Sequence, residues 1–255
     1  MSNPYCIVVP CYNESARLDP QAFLDATLEE PKLDFVFVDD GSTDGTARII
    51  SELCVRGNGR MELLSLERNR GKAEAVRRGV AFAFDQSPPP ALVGYWDADL
   101  ATPLHYITKF AALFADPQIQ MVLGSRVQML GHRIARSPLR HYLGRLFASA
   151  VSVGLRIPIY DSQCGAKLFR ANDVFRSVFS APFRSNWTFD VELIERLIHR
   201  QAATNDINVI EQCVEFPLSD WHDAPGSKIG WRHIPQIILE TSRIVASRTE
   251  RNRRR

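Results

Sequence analysis

The sequence predicts an α/β protein with a mostly parallel central sheet and helices on both faces. Through residue 124, short apolar runs alternate with amphipathic segments, which is the pattern of repeated strand and helix units. Right-handed crossovers between such units lay the strands parallel and cover both faces of the sheet with helices. Ligands of such sheets bind at the carboxyl ends of the strands, so those ends are where chemistry is expected.

Short apolar runs define the predicted strands, and segments of helical period separate them. The helical segments lie near residues 20–30, 44–56, 72–86 and 104–115, and the run Ser87 to Pro90 is a loop. Beyond residue 125 the alternation weakens. The predicted strands are Tyr5 to Val9, Phe35 to Val38, Met61 to Leu66, Leu92 to Trp96 and Met121 to Leu123.

One later segment, Ser137 to Leu155, has a helical period and carries basic residues among apolar ones. Two interpretations stay open. The helix packs its apolar side, which includes Leu146 and Val153, on the core, or it lies as an amphipathic helix on a membrane surface.

Composition narrows the classes of function and the cellular compartment. The net charge of +2 gives no reason to expect nucleic acid as a partner. Five cysteines without metal-binding spacing indicate reduced thiols, and the absence of a signal segment or long apolar run predicts a cytoplasmic protein, peripheral at most on the inner face of the membrane. Five arginines in residues 248–255 form a basic tail that is either a solvated end or attracted to an anionic membrane surface.

The most informative motif is Asp97-Ala98-Asp99, which follows the predicted strand Leu92 to Trp96. Side chains at positions i and i+2 of an extended chain point to the same side, so both carboxylates can face one cation. Mg²⁺ and Mn²⁺ prefer oxygen ligands and are often held by one or two carboxylates together with substrate phosphates. The motif therefore predicts a divalent metal site that bridges a diphosphate.

Two other polar clusters follow predicted strands and converge on the same edge of the sheet. Pro10 to Glu14 follows the first strand, and Asp39 to Thr46 follows the second, where carboxylates suit a base N–H or ribose hydroxyls and Thr43 or Asp44 can cap the next helix. Arg70-Gly71-Lys72 stands at a predicted helix start, where backbone N–H groups and the helix dipole attract anions. Each cluster alone also fits an ordinary strand-to-helix turn.

In order along the chain, these motifs resemble family 2 glycosyltransferases of the GT-A fold. The resemblance includes Gly124-Ser125-Arg126 and Asp161-Ser162-Gln163-Cys164-Gly165-Ala166-Lys167 and extends over about residues 5–230. Within the family the sequence is most similar to dolichyl-phosphate and other polyprenyl-phosphate glucosyl- and mannosyltransferases. The resemblance implies one GT-A domain over residues 1–247, with a nucleotide-binding half to about residue 124 and an acceptor-binding half after it.

The resemblance also implies roles for particular residues. Lys72 and Ala98 would lie beside the donor, and Asp97 and Asp99 would bind the metal on its diphosphate. Arg126 would meet an acceptor phosphate, with Arg140 as a candidate second contact, because the planar guanidinium of arginine binds phosphate oxygens well. The residues implied to hold the nucleoside are Pro10, Tyr12, Glu14, Asp39 and Asp40, and those implied to border the donor sugar are Gln163 and Lys167.

Two further segments match the family, each with an ordinary structural alternative. Thr188 to Leu193 resembles a segment near the acceptor, although acids in a first helical turn also simply favour the dipole. Trp221 to Lys228 resembles a glucosyltransferase loop in which Ser227 and Lys228 close over the diphosphate; His222 is either a third metal ligand or a surface histidine. One departure concerns Ala101, which stands where some mannosyl members have a metal-binding glutamine.

The expected reaction is metal-dependent transfer of a hexose from a nucleoside diphosphate sugar to a polyprenyl phosphate, with inversion. The loop at Trp221 favours UDP-glucose over GDP-mannose as donor. If the acceptor is instead a hydroxyl of a glycan or small molecule, a carboxylate must take its proton, and Asp190 or Glu192 is the first choice. A soluble family 2 glycosyltransferase with such an acceptor is therefore the alternative.

Overall fold

A computed structural model describes residues 5–135, 138–222 and 240, apart from the side chains of residues 138–141 and 143. In chain order its elements are β1 (Tyr5–Cys11), α1 (Pro20–Glu29), β2 (Leu33–Asp39), α2 (Thr46–Arg56), β3 (Met61–Ser65), α3 (Lys72–Phe84), β4 (Leu92–Trp96), α4 (Tyr106–Leu113), β5 (Met121–Ser125), β6 (Arg133–Ala135), α5 (Pro138–Leu155), β7 (Ala166–Arg170), α6 (Asp173–Ser180), α7 (Phe189–Thr204), α8 (Val209–Gln212), β8 (Cys213–Pro217) and β9 (Asp220–His222).

The predicted α/β class is confirmed. Seven strands form the main sheet in the order β3-β2-β1-β4-β7-β5-β8, and β6 pairs with β9 in a small second sheet. β1 pairs in parallel with β2 on one side and with β4 on the other, so the strand order reverses around β1. Crevices for ligands open at such a reversal, outside the carboxyl ends of the strands.

One strand departs from the parallel arrangement. β7 lies antiparallel between β4 and β5 and pairs with both. It brings the residues just before it, up to Gly165, to the carboxyl end of β4, where Asp97 N–H donates to the Gly165 carbonyl at 3.1 Å. The residues that precede β7 therefore lie at the same edge of the sheet as the motifs that follow β1, β2 and β4.

Apolar side chains on both faces of the sheet form the core. Val8 and Val38 face the layer that contains α3, while Ile7 and Phe37 face the layer that contains α1. α3 lies very close to the sheet because Gly79 has no side chain; a Cβ there would come within 2.3 Å of Val8 Cγ1. The rigid sheet holds its strand ends, and therefore the site, in fixed positions.

Helix α5 packs only part of its apolar side on the core. Val151 and Leu155 are fully buried, so its carboxyl-terminal half packs on the core. Leu146 and Val153, which the packed interpretation assigned to the core, are instead 69% and 78% exposed, as is Tyr142 at 70%. The described face of α5 therefore leaves an apolar stripe uncovered.

Candidate active site

A cleft of about 680 Å³ opens at the carboxyl ends of β1, β2 and β4, a size ordinary for small-ligand sites. Most of the residues proposed from sequence meet there. Those lining the cleft are Pro10, Tyr12, Glu14, Asp40, Lys72, Asp97, Ala98, Asp99, Arg126, Gln163 and Asp190.

Side-chain hydrogen bonds join the loop after β1 to the loop after β2. Asn13 N–H donates to Ser42 Oγ and Thr43 N–H donates to Asn13 Oδ1, both at 2.9 Å. Asp44 accepts from Ser15 and, on its other oxygen, from Thr46 at the start of α2. Despite some desolvation, these hydrogen bonds hold the pKa of Asp44 well below its usual range. The two polar loops thus form one rigid wall of the cleft.

The carboxylate of Asp40 lines the cleft and also binds the backbone of the loop that contains Arg70 and Gly71. Its two oxygens accept backbone N–H groups of Arg70 at 2.7 Å and Gly71 at 2.8 Å. Gly71 has a φ of +91°, and a Cβ there would lie 2.7 Å from Asn186 Oδ1, so both its conformation and its neighbours favour glycine. Burial, only partly offset by these hydrogen bonds, raises the pKa of Asp40.

The acid pair lies at the cleft with a lysine against it. Lys72 Nζ is 2.5 Å from Asp97 Oδ1, and Asp99 Oδ1 accepts the Ala101 N–H at 3.1 Å. Desolvation and the neighbouring Asp97 charge raise the pKa of Asp99. Desolvation acts to lower the pKa of Lys72, but Asp97 and Asp190 outweigh it, so this pKa lies above its usual value.

These residues fit a divalent metal ion. Two carboxylates crowd one end of the cleft, where desolvation and the charge of Asp97 both raise the pKa of Asp99, and a bound cation would offset both effects. An oxygen donor set suits Mg²⁺ or Mn²⁺, whose remaining ligands are commonly phosphate oxygens and water. Within the described part of the chain, no third Asp, Glu, His or Cys completes a metal-binding group. His222, the candidate third ligand, is exposed, and its backbone N–H donates to the Ala101 carbonyl at 3.3 Å.

Gly165 shapes the position of Asp97. A Cβ on Gly165 would lie 1.9 Å from Asp97 Oδ2 and 2.3 Å from its Cγ. The carboxylate therefore rests directly on the Gly165 backbone, and any side chain at this position would displace it. In the motif Gln163-Cys164-Gly165, the glycine therefore contributes to the site by leaving space for the Asp97 carboxylate.

Arg126 occupies another part of the cleft wall, fixed by an ion pair. Its Nε and Nη2 donate to the two oxygens of Asp161 at 2.6 and 2.7 Å, and its backbone N–H donates to Asp161 as well. The guanidinium lies 5.4 Å from the ring centroid of Trp221. Despite desolvation, Asp161 raises the pKa of Arg126, so this group stays cationic. Within the described residues, Nη1 has no hydrogen-bond acceptor.

Three residues proposed from sequence lie outside the cleft lining. Asp39 is 4% exposed and accepts the Ser42 N–H at 3.3 Å, which gives it a role in the turn. Lys167, expected beside the donor sugar, is fully buried behind the wall. Glu192, a candidate base, is also fully buried and accepts from Arg196 and the Arg184 and Ser185 N–H groups, so it is not in contact with the cleft.

Other residues with predicted roles lie outside the described part of the chain. Ser227, Lys228 and the basic tail 248–255 lie outside the described residues, and so does the side chain of Arg140. The structure therefore leaves their proposed roles as sequence predictions.

Several residues of the site were not predicted from the sequence. Arg17 lines the cleft and binds the carboxylate of Glu14 through two nitrogens. Trp187 lines the far wall. There Glu240 Oε2 accepts hydrogen bonds from the Trp187 backbone N–H at 3.3 Å and from the Ser185 hydroxyl at 2.6 Å. Glu240 is distant in sequence and belongs to no motif, so no sequence signal pointed to it.

Within residues 5–135 and 138–222, no helix combines the length and apolar character required to cross a bilayer.

A mostly parallel sheet with one antiparallel strand inserted, and a cleft lined by a carboxylate pair at the end of β4, are the arrangement of a GT-A glycosyltransferase. The family model for glycosyl transferase family 2 matches residues 6–175. The chain belongs to glycosyl transferase family 2.

The chain is similar to several curated relatives named dolichyl-phosphate beta-glucosyltransferase. It is 32% identical to the one of Mus musculus over 244 residues, 88% of this chain and 68% of the mouse protein. It is 30% identical to one from Trichomonas vaginalis over 237 residues, 87% of this chain and 65% of that protein. This chain thus spans about two thirds of the length of these relatives.

Solved structures share the fold at low sequence identity. A mannosyltransferase of Pyrobaculum calidifontis, in complex with GDP-Man and Mn²⁺, superposes with a TM-score of 0.64 at 18% identity, covering 98% of this chain and 65% of that one. Glucosyl-3-phosphoglycerate synthase of Mycobacterium tuberculosis, in complex with UDP, gives a TM-score of 0.62 at 18% identity, covering 96% of this chain and 80% of that one. These likenesses establish the GT-A fold.

Proposed function

We propose that this chain is an inverting, metal-dependent glucosyltransferase that moves glucose from UDP-glucose to a polyprenyl phosphate such as dolichyl phosphate. The observation that carries the proposal is one cleft in which an acid pair faces Lys72 and which Arg126 also lines. Such a cleft offers a site for a diphosphate and a separate cation for a second phosphate. The glucosyl group and the lipid phosphate are supported by the printed names of the relatives.

The donor half of the proposal rests on the residues around Asp97. In that arrangement Tyr12 and Asp40 lie on the nucleoside side, and Lys72 balances charge beside the diphosphate. A divalent cation held by Asp97 and Asp99 supplies, when bound, positive charge against the departing diphosphate. Positive groups that are already in place stabilise the charge of the leaving group without reorganising.

The acceptor half rests on Arg126. Asp161 holds the guanidinium in one orientation and uses Nε and Nη2, so Nη1 is the nitrogen directed to an anion. The acceptor phosphate oxygen is already anionic near neutral pH and attacks the anomeric carbon directly. The new carbon–oxygen bond forms as the bond to UDP breaks, UDP leaves with the electron pair, and no base is needed to remove a proton.

We also infer that the protein meets the membrane through α5. Tyr142, Leu146 and Val153 form an exposed apolar stripe on a helix that contains no acidic residue. Arg145 on the same helix lies 5.9 Å from the Tyr160 ring centroid, beside Asp161, which connects this surface to the acceptor side of the cleft. An amphipathic face of this kind binds the boundary between headgroups and acyl chains of an anionic surface.

The proposal is tested by supplying purified protein with radiolabelled UDP-glucose, Mn²⁺ and a short polyprenyl phosphate. The expected product is a β-linked polyprenyl phosphate glucose, identified by chromatography and by the anomeric coupling constant in NMR. Parallel reactions contain GDP-mannose, or a glycan or small-molecule hydroxyl acceptor. Transfer only to the hydroxyl acceptor would establish the soluble alternative.

Two sets of variants accompany the assay. Arg126→Lys keeps the charge but removes the fork, so the KM for polyprenyl phosphate is expected to rise while donor binding stays intact. For membrane binding, Leu146→Glu and Val153→Glu should abolish flotation with anionic vesicles. Leu28→Glu changes an equally exposed leucine on α1 and should not affect flotation.

A further inference from the structure

Asp190 lines the cleft at the start of α7, yet two buried donors already hold its carboxylate. Tyr95 Oη donates to Asp190 Oδ1 at 2.5 Å, and Lys167 Nζ donates to the same oxygen at 2.5 Å. Lys167 also donates to the Cys164 carbonyl at 2.6 Å. Tyr95 and Lys167 are fully buried, so this network lies behind the cleft wall.

The network orients Asp190 because both donors use one oxygen. Within the described residues, Oδ2 accepts no hydrogen bond, although Asp190 is among the residues that face the cleft. A buried ammonium without its carboxylate is very costly, so the ion pair keeps Lys167 and Asp190 together. The result is a carboxylate with one oxygen anchored and the other presented to a ligand.

Asp190 is also near the part of the cleft that would hold a diphosphate. Lys72 contacts Asp97 directly, and its Nζ lies 5.9 Å from the ring centroid of Phe189, the residue before Asp190. Asp190, Lys72 and the acid pair therefore line the same part of the cleft. In a nucleotide sugar, the group next to the diphosphate is the sugar itself.

We propose that Asp190 Oδ2 accepts a hydrogen bond from a hydroxyl of the transferred sugar, and that Lys167 and Tyr95 are positioning residues that hold the carboxylate for this contact. The inference rests on the proposed nucleotide-sugar donor and is independent of the acceptor. It replaces the earlier roles of Asp190 as a base and of Lys167 as a direct sugar contact.

The chemistry separates sugar recognition from a base role. An asparagine can still accept a hydrogen bond from a hydroxyl, but it cannot take a proton under these conditions. If Asp190 binds a sugar hydroxyl, Asp190→Asn therefore keeps part of the selectivity for the sugar donor. If Asp190 acts as a base, Asp190→Asn loses the base function as completely as Asp190→Leu does.

The experiment measures the Kd of UDP and of UDP-glucose by calorimetry with Mn²⁺. In Asp190→Leu, UDP binding is expected to stay unchanged while UDP-glucose binding weakens by about tenfold to a hundredfold, the usual effect of a lost hydrogen bond to a charged group. Asp190→Asn should fall between this variant and the wild type. A series of UDP-deoxyglucose donors should identify one hydroxyl whose removal weakens wild-type binding but not Asp190→Leu binding.

Two further variants test the positioning roles. Tyr95→Phe removes one donor without changing charge and should raise the donor KM several-fold while kcat is largely retained. Lys167→Met with Asp190→Asn removes both buried charges together, so the protein folds without an unpaired ion and should lose donor selectivity like Asp190→Leu. Glu195→Gln changes another buried acid of α7, 1% exposed and outside the cleft, and should leave the two Kd values unaltered.

The outcomes distinguish this inference from the proposed function. If wild-type protein binds neither UDP nor UDP-glucose, the nucleotide-sugar proposal itself fails. If wild-type protein binds both ligands and the Asp190 variants leave the ratio of the two Kd values unchanged, sugar recognition by Asp190 is overturned. Equal loss of kcat in Asp190→Asn and Asp190→Leu, with that ratio unchanged, would assign Asp190 as a base instead.

Discussion

Gly165→Ala is expected to disable the proposed metal site although neither Asp97 nor Asp99 is substituted. The new Cβ would lie 1.9 Å from Asp97 Oδ2, about 1.5 Å closer than ordinary van der Waals contact. Gly165 has no positive φ, so the alanine backbone is tolerated and the clash falls on the Asp97 carboxylate. The carboxylate must move away by about that distance or turn from the cleft.

The expected magnitude follows from the size of this displacement. A misplacement of about 1 Å in a catalytic site can lower the rate by about a hundredfold. We therefore expect kcat/KM to fall by about a hundredfold or more. Calorimetry should show the Mn²⁺-dependent part of UDP binding lost, while the binding measured without metal changes little.

A matched control separates this effect from simple crowding. Gly124→Ala places a Cβ 2.9 Å from Cys164 Sγ, a milder clash in a buried strand that does not involve Asp97. It should cost about 1–3 kcal/mol of stability, as overpacking usually does, and leave metal-dependent binding intact. A folded Gly165→Ala protein with wild-type Mn²⁺ dependence would refute the reasoning.

Three further predictions concern charge and support around the cleft. Hydrogen bonds and ion pairs with two arginines lower the pKa of Glu74 to about 2, so its contribution to the free energy of unfolding is full above about pH 4.5 and is lost as the pH falls towards 2. In urea unfolding across this range, Glu74→Gln should lose less stability than the wild type. Glu52→Gln, which removes an exposed ion pair, should lose as much stability as the wild type. Lys72→Met should weaken metal-free UDP binding about tenfold but strengthen Mn²⁺ binding without nucleotide, since one positive charge leaves the acid pair; weaker Mn²⁺ binding in calorimetry would contradict this. Glu240→Ala should loosen the wall at Trp187 and raise the donor KM, with partial recovery in Glu240→Gln, whose amide oxygen still accepts hydrogen bonds; equal steady-state KM values in all three proteins would exclude the role.

Much of the first half of the chain was predictable because its signals are local. A strand followed by polar residues places those residues at one sheet edge, and the prediction that Asp40 and Asp97 converge needed only the parallel order of the strands. The strands were predicted nearly to their ends, with β2 extending two residues beyond its apolar run at its amino end and one at the other. Local propensity and hydrophobic period were sufficient for these elements.

The second half was less predictable because its arrangement depends on contacts between distant segments. No local sequence pattern indicates the antiparallel insertion of β7 between β4 and β5, because the residue pattern of a short apolar strand is the same for parallel and antiparallel pairing. The sequence also does not show whether a charged side chain is exposed in a cleft or buried behind the cleft wall. Lys167 was therefore expected to contact the sugar, and only its burial revealed the pairing with Asp190.

The sequence by itself determined the α/β class, the polar edge of the sheet and the acid pair at the end of β4, because each follows from neighbours along the chain. The tertiary structure alone decided which oxygen of Asp190 is anchored, why Gly165 carries no side chain, and how Glu240 reaches the wall at Trp187. Those three features each join residues from separate elements, and a one-dimensional pattern contains no information about which side chains fill the same space.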